Sequence, residues 1–296
     1  MPAIEFKDKN YQITDIHREK CSRVVPMRVL ALGLCKTGTE SLMEALRILG
    51  YNEAYHGWVA LLNNPRDYAM WQKALHAKYD GIGKPFGREE FDRLLGHCQA
   101  VSDIPALCFT EELIKAYPEA KVILTVRDID EWQRSIETIF ARSGKWRLKI
   151  LIPFLRTLTL LCGSRFHWVF VTIPRAGKEL FGTNLHSEGR AIYESHYKMV
   201  EALVPPENLL HYHVNEGWEP LCRFLNQPVP SVPVPDVNSK EDMRLRMRAS
   251  VRLALRECIL HTIRFVAYIC LLVVLCKRLR VGEWGLLSMF NALESG

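Results

Sequence analysis

The 296-residue sequence has no C-x-x-C pair among its nine cysteines, no Asn-x-Ser/Thr sequon and no apolar run at its start. The missing pair and the odd count exclude a fully paired disulfide framework and the usual spacing of a structural zinc site. Reduced thiols are therefore expected. Met-Pro-Ala-Ile-Glu-Phe-Lys-Asp opens the chain without the h-region of a secretory leader, so the main domain is expected in the cytoplasm. No internal repeat is apparent, which sets repeat architectures aside. Charge of one sign is also in short excess: 39 Lys and Arg against 33 Asp and Glu leave +6. That balance suits a polyanionic nucleotide or an acidic membrane surface, and no nucleic-acid partner is expected.

What is present is a local phosphate-binding pattern. Met27-Arg-Val-Leu-Ala-Leu-Gly-Leu-Cys-Lys-Thr-Gly-Thr-Glu-Ser-Leu42 is an apolar run that breaks at Gly33, passes through Cys35-Lys36-Thr37-Gly38-Thr39 and opens a helix near Glu40. A buried strand feeding a turn at a helix N-terminus gathers backbone N–H groups and the positive end of the helix dipole, and Lys36 adds a full charge. The order is not that of a nucleoside triphosphatase. G-x-x-x-x-G-K-[ST] puts lysine after the second glycine and a Mg²⁺-binding hydroxyl next. Here Thr39 and Glu40 hold those places, and the lysine stands two residues before Gly38.

Along the chain, residues 1–26 read as a polar lead-in. Strand patterns recur at Met27–Leu34, Gln99–Pro105, Lys121–Val126 and Leu209–Val214, with helical patterns between them. Trp218–Leu225 reads as a short helix, and Pro228–Pro235 as a proline-rich exit. Alternating strands and helices predict a three-layer α/β/α fold with a central parallel sheet, which binds ligands at the carboxyl ends of its strands. A second anion site is predicted where Lys121–Val126 ends. Arg127 can fork onto phosphate oxygens there, and Ser135, eight residues on, can donate to the same group. Its plain alternative is a surface arginine paired with Asp128 or Asp130, with Ser135 incidental. His211 and His213 alternate on one strand without a carboxylate or thiol neighbour, so they read as packing residues and no metal is expected.

Lys-x-Gly-Thr after the first strand and Arg-x₇-Ser after a later one resemble the donor sites of sulfotransferases. The pattern Asp103-x-Pro105, Phe109, Glu112-Leu113, Tyr117-Pro118 and Lys121–Arg127 is similar to a divergent group found in fungi and various animals. Glu216–Leu225 and Pro228-Val-Pro extend the resemblance over roughly residues 27–238. It implies a P-loop NTPase-like α/β fold and 3′-phosphoadenosine 5′-phosphosulfate (PAPS) as the donor co-substrate. Lys36, Thr37, Gly38, Thr39, Glu40 and Ser41 would hold the 5′-phosphosulfate, and Arg127 and Ser135 the 3′-phosphate. Asp103, where cytosolic members carry histidine, would be the general base, with Lys36 stabilising charge in the transition state. The acceptor implied is a hydroxyl or amine of a small, apolar molecule. Competing readings are a P-loop nucleotide kinase or NTPase, which requires ATP with Mg²⁺, and a membrane-attached nucleotide-binding protein without turnover.

Two apolar regions remain. Residues 145–175 are interrupted by Pro153, Arg156, Gly163 and Arg165, so they read as helices covering an acceptor pocket or as plain core. After a basic helical stretch, Cys258–Cys276 is long enough to span a bilayer between flanking cations, or to dock on the core. The expected organisation is therefore a sulfotransferase-like domain over residues 1–238, a basic linker helix over 239–257, a transmembrane or membrane-surface helix over 258–276 and a short tail over 277–296. Membrane association with a cytoplasmic catalytic domain follows; docking of the helix would leave the whole chain cytoplasmic.

Overall fold

The computed structural model describes residues 13–143, 146–237 and 240–294. The first twelve residues of the expected lead-in and the boundary expected at residue 238 lie outside them. Five strands form one parallel sheet: β1 (Val29–Ala31), β2 (Ala54–Tyr55), β3 (Ala100–Ser102), β4 (Lys121–Thr125) and β5 (Leu209–Tyr212), in the order β2-β3-β1-β4-β5. The sequence pattern missed β2, which is too short to show alternation. It also overextended β1, whose pairing stops at Ala31 while Leu32 to Leu34 run on toward the loop.

Eleven helices connect and cover the sheet among the described residues: α1 (Thr39–Ile48), α2 (Gly57–Asn63), α3 (Asp67–Leu75), α4 (Arg88–Leu95), α5 (Thr110–Ala116), α6 (Ile129–Ser143), α7 (Trp146–Leu161), α8 (Phe166–Phe181), α9 (Leu185–Leu203), α10 (Trp218–Leu225) and α11 (Lys240–Glu294). The period-2 alternation of strand side chains divides the core in two. Leu30, Val101, Val122 and Leu124 join the larger core with residues of α3–α6, α8 and α9. Val29, Ala31, Ala100 and Ile123 point the other way, onto Leu42, Ala45 and Leu46 of α1 and Leu221 and Cys222 of α10. The sheet is thus buried on both faces, giving the predicted three-layer α/β/α architecture. Fully burying each leucine-sized side chain contributes about 1.5–3 kcal/mol.

Helix ends follow local chemistry with one exception. Gly50, with φ +83°, closes α1 by donating its N–H to the Arg47 carbonyl, as the left-handed C′ position requires. Thr110, the first residue of α5, is the exception: it donates its hydroxyl back to the Leu107 carbonyl in the preceding turn. Gly163, with φ +64°, separates α7 from α8, so the apolar region around Pro153 is a pair of helices rather than one long span.

The basic stretch, the apolar stretch and the described part of the tail lie in the single helix α11. Its first half is docked: Ser250, Ala254, Glu257 and Cys258 are buried. Glu257 accepts from Arg165 Nε at 2.8 Å and Ser164 Oγ at 3.1 Å, and His261 Nδ1 bonds the Cys162 carbonyl at 2.8 Å. Beyond that clasp the helix leaves the core, and Ile259, Ile263, Phe265, Val266, Tyr268 and Leu271 are all exposed. Arg244–Lys277 is long and apolar enough to cross a membrane, with a mean hydropathy of 2.3 in its most apolar window, of which 6% is buried.

Candidate active site

Strand order places three loops side by side. The chain runs from β1 toward β2, returns through β3 beside β1, then crosses to β4 on the other flank of β1. The carboxyl ends of β3, β1 and β4 therefore meet at the point where the winding reverses, which is where open α/β sheets bind ligands. Asp103, the loop at 33–38 and Arg127 follow those three ends.

The loop is held by its neighbours' side chains. A Cβ on Gly33 would lie 2.1 Å from Thr125 Oγ1, so only glycine lets β1 leave the sheet beside β4. Thr37 Oγ1 donates to the Leu34 carbonyl at 2.6 Å and lies against Thr125 Oγ1; with the Thr37 proton so committed, Thr125 is the donor of that pair. The Thr37 N–H also bonds the Leu34 carbonyl, at 3.3 Å. Thr37 therefore shapes the loop and turns its own groups inward. Lys36 (φ +74°) and Gly38 (φ +104°) take left-handed conformations, and α1 opens from Gly38 without a side-chain cap. Its first-turn N–H groups and the Lys36 ammonium are the donors and the charge that the expected anion site calls for. Burial holds the Lys36 amine below the ordinary lysine range, and the Glu40 carboxylate pulls it the other way.

Helix α9 fixes the same edge from below. His196 Nε2 donates to the Leu32 carbonyl at 2.7 Å, and Tyr197 donates to the Thr125 carbonyl. Tyr193, stacked on Tyr197 with ring centroids 4.1 Å apart, bonds both the N–H and the carbonyl of Arg127. Trp132 of α6 donates Nε1 to the Cys35 carbonyl at 2.9 Å.

Asp103 has φ +68° and accepts from Cys35 Sγ at 3.0 Å through Oδ1. Burial, reinforced by the Asp103 charge, pushes the Cys35 thiol up, so it remains protonated and is a donor. On the other side Oδ2 stands 3.2 Å from Nδ1 of His56, a buried residue at the end of β2 that caps α2 by accepting the Trp58 N–H at Nδ1, 3.3 Å away, and whose Nε2 makes no hydrogen bond. His56 escaped sequence reasoning because a two-residue strand leaves no signal. Gly57 permits the contact: a Cβ there would lie 2.8 Å from Asp103 Oδ2 and 2.5 Å from the Ile104 carbonyl.

Other expected site residues are placed differently from their simplest reading. Arg127 donates Nη1 to the Lys36 carbonyl at 3.2 Å, which joins the residues of the two expected anion sites, while its Nε and Nη2 meet Glu131 Oε2 at 3.4 and 3.3 Å. Ser135 is half-buried one turn past Glu131 on α6, and no hydrogen bond joins it to Arg127 among the described residues. Thr39 is buried at the start of α1. Ser41 Oγ is engaged with the Val237 backbone, donating to its carbonyl at 3.1 Å and accepting from its N–H at 3.2 Å. Glu40 is paired with Arg246 from α11.

Among the described residues one group has metal-ligating chemistry, Glu53, His97 and Cys98, beside a cavity of about 460 Å³. It lies at the amino ends of β2 and β3, across the sheet from Asp103. Arg18 donates to His97 Nε2 at 3.0 Å, which occupies that ligand atom and sets a cation against any metal. His211, expected to pack, is exposed and meets the Glu201 carboxylate at 3.3 Å, while His213 Nδ1 accepts from the Asn215 N–H and caps the next turn.

An anion loop between a held carboxylate and an arginine, at the crossover of a doubly wound parallel sheet, defines a P-loop-like α/β protein. The family model described as a sulfotransferase domain matches residues 28–243, and the chain belongs to that family. A relative from Aspergillus versicolor named "Ava biosynthesis cluster protein M" is 39% identical over 216 residues, 71% of this chain and 80% of the relative. The family match takes in the start of α11 and ends before its exposed apolar half.

Proposed function

We propose that the protein transfers a sulfuryl group from PAPS to a hydroxyl or amine of a small, apolar acceptor. The observation carrying this reading is the convergence of Lys36, Asp103 and Arg127 around one uncapped helix N-terminus, joined by the Cys35–Asp103 and Arg127–Lys36 hydrogen bonds. An uncapped N-terminus whose lysine precedes the second glycine, with Glu40 in the place of the Mg²⁺-binding hydroxyl, fits a phosphosulfate better than a metal-bound triphosphate.

In this reading the N–H groups of the loop and of Thr39 to Ser41 would hold the 5′-phosphate, with the Lys36 ammonium at the sulfuryl oxygens and the bridging oxygen. Arg127 would turn from Glu131 to the 3′-phosphate, with Ser135 beside it. The bound donor supplies the sulfuryl group, transferred in line through a loose transition state by analogy with phosphoryl transfer. Catalysis then rests on positioning and charge stabilisation. As the acceptor oxygen or nitrogen bonds to sulfur and the bridging S–O bond breaks, Asp103 takes the acceptor proton. The Cys35 thiol would hold the carboxylate in place for that transfer. The catalytic unit would cover residues up to about 238, with the exposed half of α11 attaching it to a membrane from the cytoplasmic side.

Thermal-shift titration with adenosine 3′,5′-bisphosphate and with ATP–Mg²⁺, followed by an acceptor screen with PAPS, tests the reading. Stabilisation by the bisphosphate alone is expected. Stabilisation by ATP–Mg²⁺ alone would favour the kinase or NTPase reading instead.

A further inference from the structure

Glu40 poses an electrostatic problem. It sits in the first turn of α1, where the helix dipole favours a carboxylate, yet an anionic donor needs the same ground. Its charge is the largest acting on the Lys36 amine. A bare carboxylate there would compete with the donor for Lys36 and repel it. The solution comes from a distant part of the chain. Arg246 of α11 forms an ion pair with Glu40 Oε1, and both side chains are nearly buried, at 14% and 13% exposure. The guanidinium also lies over the Trp58 ring, 5.8 Å from its centroid. A few residues earlier Val237 holds Ser41 through two hydrogen bonds. The first turn of α1 is therefore gripped twice by the C-terminal segment. The second Glu40 oxygen is buried without a hydrogen-bond partner, and Arg246 is the guanidinium paired with the first.

We propose that Arg246 is a positioning residue of the donor site: it neutralises and orients Glu40, so that the loop around Lys36 accepts an anionic nucleotide. The inference rests on the reading of this loop as the donor site. It makes α11 part of the nucleotide site as well as an anchor. Arg246 precedes the exposed apolar stretch by about 20 Å along the same helix.

The test is a double-mutant cycle on the full chain, read as the dissociation constant for adenosine 3′,5′-bisphosphate by calorimetry. Arg246→Ala is expected to weaken binding about tenfold or more in the native background, where it leaves Glu40 uncompensated. In the Glu40→Gln background the same substitution is expected to cost less than about threefold, because no charge remains to compensate. Arg246→Lys retains the charge and is expected to keep most of the affinity, even if the alanine variant misfolds. Equal losses in both backgrounds would make Arg246 a docking residue only and overturn the proposal, as would loss of affinity in Arg246→Lys with its circular dichroism unchanged. Failure of the native chain to bind the bisphosphate at all would instead remove the donor reading, and this proposal with it.

Discussion

The Cys35 thiol donates a hydrogen bond of 3.0 Å to Asp103 Oδ1, tying the loop after β1 to the loop after β3. Cys35 also accepts from Trp132 through its carbonyl, so a single residue spans α6, the anion loop and the carboxylate. His56 Nδ1, which accepts the Trp58 N–H at 3.3 Å, stands 3.2 Å from the opposite oxygen, so the hydrogen bond that orients the carboxylate before any ligand arrives is the one from Cys35. Pre-set geometry of this kind is what proton transfer from a bound acceptor requires.

Asp103→Asn keeps the shape and both neighbours but removes the base. Turnover is expected to fall by about 10²–10⁴-fold. Affinity for adenosine 3′,5′-bisphosphate should change by less than about threefold, since no donor contact is lost. Calorimetry alongside rate measurements checks this, and a comparable loss of nucleotide affinity would assign Asp103 to structure.

Arg127→Ala should remove the preference for a 3′-phosphate. Adenosine 3′,5′-bisphosphate is expected to bind about tenfold or more weakly, while adenosine 5′-phosphate binds as before. Competition binding with the two nucleotides measures the ratio. An unchanged ratio would leave Arg127 with its structural bonds to Glu131 and the Lys36 carbonyl.

Gly57→Ala tests whether close approach holds the base. The added methyl would meet the Ile104 carbonyl at 2.5 Å and Asp103 Oδ2 at 2.8 Å, so the carboxylate or the α2 N-terminus must move. A destabilisation of about 1–3 kcal/mol is expected from the overpacking, together with a loss of turnover larger than the loss of donor affinity. Denaturation and steady-state kinetics separate the two, and kinetics identical to the native chain would contradict the geometry.

His97 sets a pH dependence of stability. Burial, with Arg18 and Arg23 adding to it, pushes its imidazole down to about 4. The unfolded chain then binds the extra proton between about pH 4 and 6.5, so this contribution to stability is lost as pH falls through that window. Asp67, pushed up to about 6 by burial, has the opposite sign: the native state binds the extra proton, and stability is lost as pH rises. Comparing the native chain with His97→Gln isolates the first effect. Going from pH 6.5 to 5, the native chain should lose about 1.5 kcal/mol more than the variant in urea denaturation. Parallel pH profiles would exclude His97 as the source.

The exposed half of α11 should hold the protein on membranes through carbonate extraction. Val266→Arg or Leu272→Arg, each placing a charge near the middle of the apolar stretch, costs about 2.5–3.5 kcal/mol of insertion and should move the chain toward the soluble fraction. Recovery of the native chain in the soluble fraction would mean that the helix packs on protein instead.

Much of this molecule could be read before its fold was known, wherever chemistry and backbone lie in one contiguous segment. The loop from Gly33 to Gly38 declares itself by an apolar strand, a turn and a helix start within sixteen residues. Arg127 is equally readable, because it ends the clearest strand. Asp103 needed the family resemblance as well, since a carboxylate before a proline turn has many ordinary explanations. Ser41, Thr37 and Glu40 show the limit: their position in the loop was readable, but the partners that occupy them were not.

The sequence alone determined the parallel α/β architecture, the order of the strand-end residues and the apolar span near the C-terminus. Each follows from local periodicity and from the short reach of a turn. Tertiary structure alone decided that His56 faces Asp103, that Arg127 reaches the Lys36 carbonyl and that Arg246 compensates Glu40. Those pairs join residues 47 to 206 positions apart. No periodicity connects such distant residues; they meet because the winding of the sheet and the docking of α11 converge on one edge.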